Sequence, residues 1–290
     1  MKLKKMQIGL NVFFAVLVLL FLLPILLIII VSLTSDTAII RYGYSFWPKE
    51  FSLEAYNYLW SDRIRIGRAF LLTIAVTAVG TLLSLLLMSL LSYVLSRKEY
   101  ILKNVLGFYV FFAILFNGGL VPTYMMYTQY FHIKNTYAAY LIPNLLVSGF
   151  FVMMMRTYFS SSIPDEIIES ARVDGAGEIR IFARIAAPMA KPIFATVGLM
   201  QAINYSGDWY NGLQYITNDK LFTLQNLLNR ILQNVQALRS ETVIGDAMAS
   251  MPLESARMAM AVIGILPIIV AYPFFQQYFV KGITVGSVKG

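Results

Sequence analysis

The sequence predicts an all-α, polytopic membrane protein with about six transmembrane helices, forming a single membrane domain over residues 1–290. The composition is the first reason: 58% of residues are hydrophobic, 13% are charged and the mean hydropathy is +0.68. Soluble domains carry about a quarter charged residues. The second reason is that the apolar residues stand in long uninterrupted blocks, where a soluble core would space them at a helical or strand period. The third is that none of these blocks holds an Asp, Glu, Lys, Arg or His in its interior.

The first block, 10–31, follows a basic head with Lys2, Lys4 and Lys5. It is longer than a signal-peptide core and lacks a small-residue cleavage pattern, so it is expected to stay as a span. Further uncharged blocks cover 69–96, 104–131, 135–155, 192–207 and 258–280, the fifth span being taken over 192–211. Most exceed the ~20 residues that cross a bilayer at 1.5 Å per residue, and the fifth does so only if it runs past Asp208. With the N-terminus inside, thirteen of the 23 Lys and Arg fall on the inner side, and the net charge is +7 inside against +1 outside. That asymmetry predicts cytoplasmic termini in a multi-pass protein, with lipid as its surroundings. It also explains the overall charge of +8 without a nucleic-acid partner.

Two outer segments are long enough to have structure of their own. Residues 34–68 contain Ser52-Leu53-Glu54-Ala55, a helix start with serine as cap. From Leu221 to Leu238, apolar residues at 221, 224, 228, 231, 235 and 238 face away from Gln225, Asn229, Arg230, Gln233 and Asn234. This pattern predicts an amphipathic helix on the outer surface.

Several chemistries are excluded. The chain has no cysteine and one histidine, His132, so thiolate chemistry and multi-histidine metal sites are absent, and His132 is expected in a loop without chemistry. No metal-ligating set and no catalytic set is expected. No glycine-rich phosphate loop with lysine occurs, so the chain should not hydrolyse ATP itself. Ion-coupled transporters keep ionisable groups at membrane depth, and these spans have none. The spans instead hold neutral polar and aromatic groups at broken positions: Asn117-Gly118-Gly119 with Pro122, Pro143-Asn144, and Gln201, Asn204, Tyr205 and Ser206 leading to Asp208-Trp209-Tyr210-Asn211. Amides and hydroxyls beside aromatic faces suit sugar hydroxyls, so Asn117, Gly118, Asn204, Tyr205, Trp209 and Asn211 are candidate pathway residues. The same residue types also mediate helix packing and interfacial belts.

The inner stretch 160–191 is the sharpest signal. Ser161-Ser162-Ile163-Pro164-Asp165-Glu166 reads as a helix start with serine caps and first-turn acids. Ile167, Ile168, Ala171 and Val173 supply an apolar stripe, and Gly175 with Gly177 ends the helix. A second helix from Glu178 to Ala186 stops at Pro188 and Pro192, making a bent knob in which Arg172 can pair with Glu169.

Glu169-Ser170-Ala171, three residues, Gly175, nine residues, Ile185 and then Pro188 resembles the EAA loop of ABC importer permeases. The longer run Glu169 to Ala176 with Phe182, Ile185, Pro188 and Pro192 is similar to the maltose-type second permease of carbohydrate uptake. Ser170 and Ala187 depart from the usual alanine and leucine. Phe116 to Tyr124 and Trp47-Pro48-Lys49 resemble a subgroup handling complex oligosaccharides, including acidic ones such as alginate. The resemblance implies that Glu169, Ser170, Ala171, Asp174, Gly175, Ala176, Phe182, Ile185 and Pro188 form the coupling loop to the ATPase. It also implies a transport subunit without catalysis or cofactor of its own. Its partners would be a second homologous permease, two ATPase subunits carrying ATP and Mg, and an extracytoplasmic solute-binding protein. The alternatives are a secondary transporter, an ABC permease for a non-sugar solute and a membrane-embedded enzyme.

Overall fold

The computed structural model describes residues 2–240 and 253–286. Among them no strand is named, and the one extended pairing is an isolated antiparallel bridge between Thr34 and Phe51. The last residues of the basic tail, including Lys289, lie outside the described residues. The chain divides into two compact units, Met1–Arg68 with Leu227–Leu266, and Ala69–Asn226 with Pro267–Gly290.

The first unit opens on α1, Lys2–Ser32, whose apolar part Met6–Ser32 spans 27 residues, about 40 Å at 1.5 Å per residue. Its side chains are almost all exposed, as lipid allows. Two short helices follow, α2 (Asp36–Tyr42) and α3 (Glu54–Ser61). The serine expected as cap stands one residue early: Leu53 is the N-cap of α3 and has no side-chain cap, while Ser52 Oγ accepts from the Glu54 N–H at 3.1 Å. Ala55 and Leu59 of α3 pack on Ala256, Ala259 and Met260 from the helix that ends the chain.

In the second unit the apolar blocks are less continuous than their composition implies. The helix α4, Arg63–Ser96, is a single rod of 34 residues that enters this unit at Ala69. The third block is broken: α5 (Lys103–Leu115) and the helical run Leu120–Tyr130, which begins as α6 (Leu120–Met125), meet at 116°. At the break Phe116 is extended, Gly119 takes φ +87°, and Asn117 Oδ1 accepts from the Gly119 N–H at 2.9 Å. A local side-chain bond and a positive φ that glycine tolerates give this backbone an alternative to the helix. His132 is exposed in the turn that follows.

The fourth block is not one helix over 135–155. It forms a single turn, α7 (Ala138–Leu141), then an irregular stretch through Pro143 and Asn144, then α8 (Gly149–Ser162). Proline removes a donor and pushes its predecessor out of the helical region, which breaks the helix here. The next elements are α9 (Asp165–Val173), α10 (Glu178–Ile181) continued by a π-turn over Phe182–Ala186, and α11 (Ala187–Met189). The fifth block forms α12 (Lys191–Ser206) and a separate α13 (Tyr210–Tyr215), parted where the Asp208 carboxylate accepts from the Asn211 N–H at 3.1 Å. Neither α8 nor α12 reaches the ~20 residues of a full crossing. Two long helices complete the chain, α14 (Leu224–Ser240), the amphipathic element, and α15 (Leu253–Gly286), which contains the sixth block.

Candidate functional site

The knob between α8 and α12 is built from its ends inward. Ser161 and Ser162, expected as caps, are the last residues of α8, and α9 starts after Pro164 without a side-chain cap. Asp165 is occupied elsewhere, by Lys98 Nζ at 2.8 Å and Arg97 at 3.6 Å. At the other end α9 closes in a Schellman motif. The Ala176 N–H donates to Ala171 O at 3.0 Å and the Gly175 N–H to Arg172 O at 2.9 Å, with Gly175 at φ +77°. That left-handed residue sets the bend. No atom lies within 4 Å of where its Cβ would stand, so the constraint there is conformational and not steric.

The second knob helix does not stop at Pro188. Its π-turn runs into α11 and, after Ala190, into α12. Pro188 lies in α11, directly after the π-turn over Phe182–Ala186.

Two sets of residues separate by burial. Ile168, Ala171, Ile181, Phe182 and Ala186 are buried against Tyr93 and Leu95 of α4 and Phe159 of α8, with Ile185 partly covered. The Tyr93 and Phe182 rings lie 5.3 Å apart. A fully buried side chain of this size contributes about 1.5–3 kcal/mol, so the knob is fixed to the helix ends by its core. Glu169, Ser170, Asp174 and Gly175 point the other way and are exposed. Val173, read from sequence as part of the inner stripe, is 88% exposed, and Ile179 is 83% exposed.

The pairing that the sequence allows between Glu169 and Arg172 does not form. Arg172 Nε donates to Glu178 Oε1 at 2.8 Å and Nη1 to Glu99 Oε2 at 3.0 Å. Tyr93 OH donates to the other Glu178 oxygen at 3.0 Å. Arg172 holds the Glu99 carboxyl below the usual carboxylate range, and Lys98 does the same to Asp165. A cavity of 370 Å³ opens beside this cluster, walled by Leu90, Val94, Tyr100 and Phe182.

The candidate pathway residues also divide. Tyr205 is 2% exposed; its hydroxyl donates to Leu141 O at 2.9 Å and lies 3.0 Å from Ser84 Oγ. Asn211 is buried and donates through Nδ2 to Pro143 O at 3.0 Å. Gln201 Nε2 donates to Leu145 O at 2.7 Å. These three side chains therefore satisfy the carbonyls of the irregular stretch 141–145. Non-helical backbone inside a membrane protein needs such internal partners. By contrast Asn117, Gly118, Asn204 and Trp209 are exposed, with Trp209 at 47%. Sequence reasoning overlooked Asn226, fully buried beside Gly212 and bonded to Tyr140 OH, because it sits on the face of α14 expected to be polar. Among the described residues no three His, Cys, Asp or Glu gather as a metal site.

A likeness to known proteins accompanies this geometry. No family model matches the chain. Protein LplC of Bacillus subtilis (strain 168) is 34% identical over 270 residues, 92% of this chain and 89% of the relative. The polygalacturonan/rhamnogalacturonan transport system permease protein YtcP of the same organism is 31% identical over 268 residues, 92% of each chain. A crystallised bacterial ABC transporter involved in the import of the acidic polysaccharide alginate has a chain of the same fold. The TM-score is 0.79 with 26% identity, covering 95% of this chain and 97% of that one. The chain belongs to the permease subunits of ABC sugar importers. As a member, the permease works with a partner permease, ATPase subunits and a binding protein, and the family role is transport, not catalysis. The secondary-transporter alternative is not favoured.

Proposed function

We propose that this permease pairs with one homologous permease to carry an oligosaccharide, preferentially an acidic one, inward across the bacterial cell membrane. Two ATPase subunits holding ATP and Mg drive it through the loop 160–191, and an extracytoplasmic solute-binding protein delivers the sugar. The observation that carries this reading is the knob itself: a rigid bend fixed by Gly175, with Glu169, Ser170, Asp174 and two aliphatic side chains turned outward. An acidic cargo is supported by the polygalacturonan and alginate named for two relatives. Asn117, Gly118, Asn204 and Trp209 line the pathway, and Tyr205 and Asn211 hold the backbone behind it.

Closure of the ATPase pair moves the knob as a body, and the attached helices open one gate while closing the other. Shifting a gate from 1:99 to 99:1 requires ~5.5 kcal/mol of differential interaction, within reach of nucleotide binding and hydrolysis. The charge asymmetry supports a cytoplasmic position for both termini, 97–103 and the knob.

The test is reconstitution of the co-purified complex in liposomes with oligogalacturonate and oligoalginate as cargo and a neutral cello-oligosaccharide as control. ATP-dependent accumulation of the acidic sugars supports the reading. Uptake driven by an ion gradient without ATP overturns it. Orientation is checked in this cysteine-free chain by labelling Ser161→Cys and Lys220→Cys with an impermeant thiol reagent. Both positions are exposed.

A further inference from the structure

The helices continuous with the knob are α8 and α12, so chain connectivity alone sends its motion into those two. The ionic groups add a third. Tyr93 near the end of α4 bonds to Glu178 on α10; Glu178 bonds to Arg172 on α9; and Arg172 returns to Glu99 in the turn just past α4. This ring leaves the second span, crosses both knob helices and comes back within six residues of its start. A second tie, Lys98 to Asp165, holds the opposite end of α9 to the same turn. Apolar packing resists separation but is non-directional. A planar guanidinium bonded through two of its nitrogens to two carboxylates also fixes rotation. Arg172 is the group on which both knob helices and the end of α4 converge.

We propose that Arg172 is a positioning residue for energy coupling, clamping the cytoplasmic end of the second span to the knob so that α4 moves with it. The inference rests on the coupling role of the loop given above. The clamp's bonds join the knob helices to the end of α4 and involve none of Glu169, Ser170 and Asp174, so its loss leaves ATPase binding in place and lets the knob move without carrying the span.

The experiment uses the full reconstituted complex and reads sugar transported per ATP hydrolysed. Arg172→Gln and Glu99→Gln are each expected to lower that ratio about two- to tenfold. ATPase stoichiometry in the purified complex and the hydrolysis rate stay normal. Arg172→Lys keeps the charge but cannot bond both carboxylates in one plane, and falls between the two. In a Glu99→Cys, Arg172→Cys protein a short bis-methanethiosulfonate linker, which forms a disulfide at each cysteine with loss of sulfinate, restores the ratio that the double substitution lowers. A wild-type ratio in all the uncrosslinked variants overturns the clamp, as does a linked protein that stays uncoupled. A wild-type complex that shows no ATP-driven uptake overturns the coupling reading itself, independently of the variants.

Discussion

Asp36 caps the last helix of the chain from 219 residues away: its Oδ1 accepts from the Ser255 N–H at 3.0 Å, with the Glu254 N–H at 2.9 Å on the same oxygen. The first backbone N–H groups of any helix lack intrahelical partners, and α15 gets two of its own satisfied by a residue on α2. Asp36→Ala should destabilise the purified permease by about 1–2 kcal/mol, and Asp36→Asn, which keeps an acceptor oxygen, by less. Thermal unfolding in detergent measures both, and equal loss from Ala and Asn would show that the charge and not the cap is responsible.

Gly80 of α4 lets the Tyr205 ring pass. A Cβ on Gly80 would stand 2.6 Å from two atoms of that ring, far inside van der Waals contact. Tyr205 cannot yield easily, because its hydroxyl is held between Ser84 and Leu141 O. Gly80→Ala is therefore expected to cost about 1–3 kcal/mol by overpacking. Tyr205→Phe leaves Leu141 O without that donor and should cost about 1–3 kcal/mol. Melting temperatures of the two variants, and of Gly80→Ala with Tyr205→Phe together, test whether the sites are coupled as contact requires.

Glu169→Ala and Gly175→Leu act on the knob in different ways. Glu169 is exposed and the structure pairs Arg172 with other carboxylates, so its removal should scarcely change stability. At an ATPase interface the loss of a charge-assisted hydrogen bond costs about 1.5–3 kcal/mol, seen as roughly ten- to hundredfold weaker association. Gly175→Leu forces a side chain into left-handed backbone at about 1–2 kcal/mol and redirects the bend. Both should insert normally. Sugar-stimulated ATP hydrolysis and uptake at wild-type levels in both variants would remove the knob from the coupling path.

The ion pairs that tie the knob to the second span predict a one-sided pH response. Glu99 and Asp165 have carboxyl groups held below their ordinary values by Arg172 and Lys98. A depressed folded-state value stabilises above the unfolded value and is lost as pH falls through the folded one. The tie should be constant from neutral pH down to about 5 and weaken only below about 4, near and under the ordinary carboxylate range. A fluorescent probe on Val173→Cys, an exposed position, reports the loosening by its anisotropy. Loosening between pH 6 and 8 would assign it to other groups.

Composition and pattern were enough to determine several features. Lipid as solvent follows from uninterrupted apolar blocks, and the bend of the knob follows from Gly175, because few residues other than glycine adopt a positive φ without strain. These are local properties, dictated by side chains within a few residues of the structure they set. The role of Arg172 was not local: the acids two and three residues away, Asp174 and Glu169, lost to Glu178 and to Glu99, a residue 73 positions away. Likewise Tyr205 and Asn211 were candidates for sugar contact or for helix packing, with Gln201 beside them. Folding directs them to the carbonyls of 141–145, because Pro143 breaks a helix in a place where water cannot satisfy the freed backbone. Which polar group meets which partner depends on helices that touch only after the chain has folded, and that choice belongs to the tertiary structure.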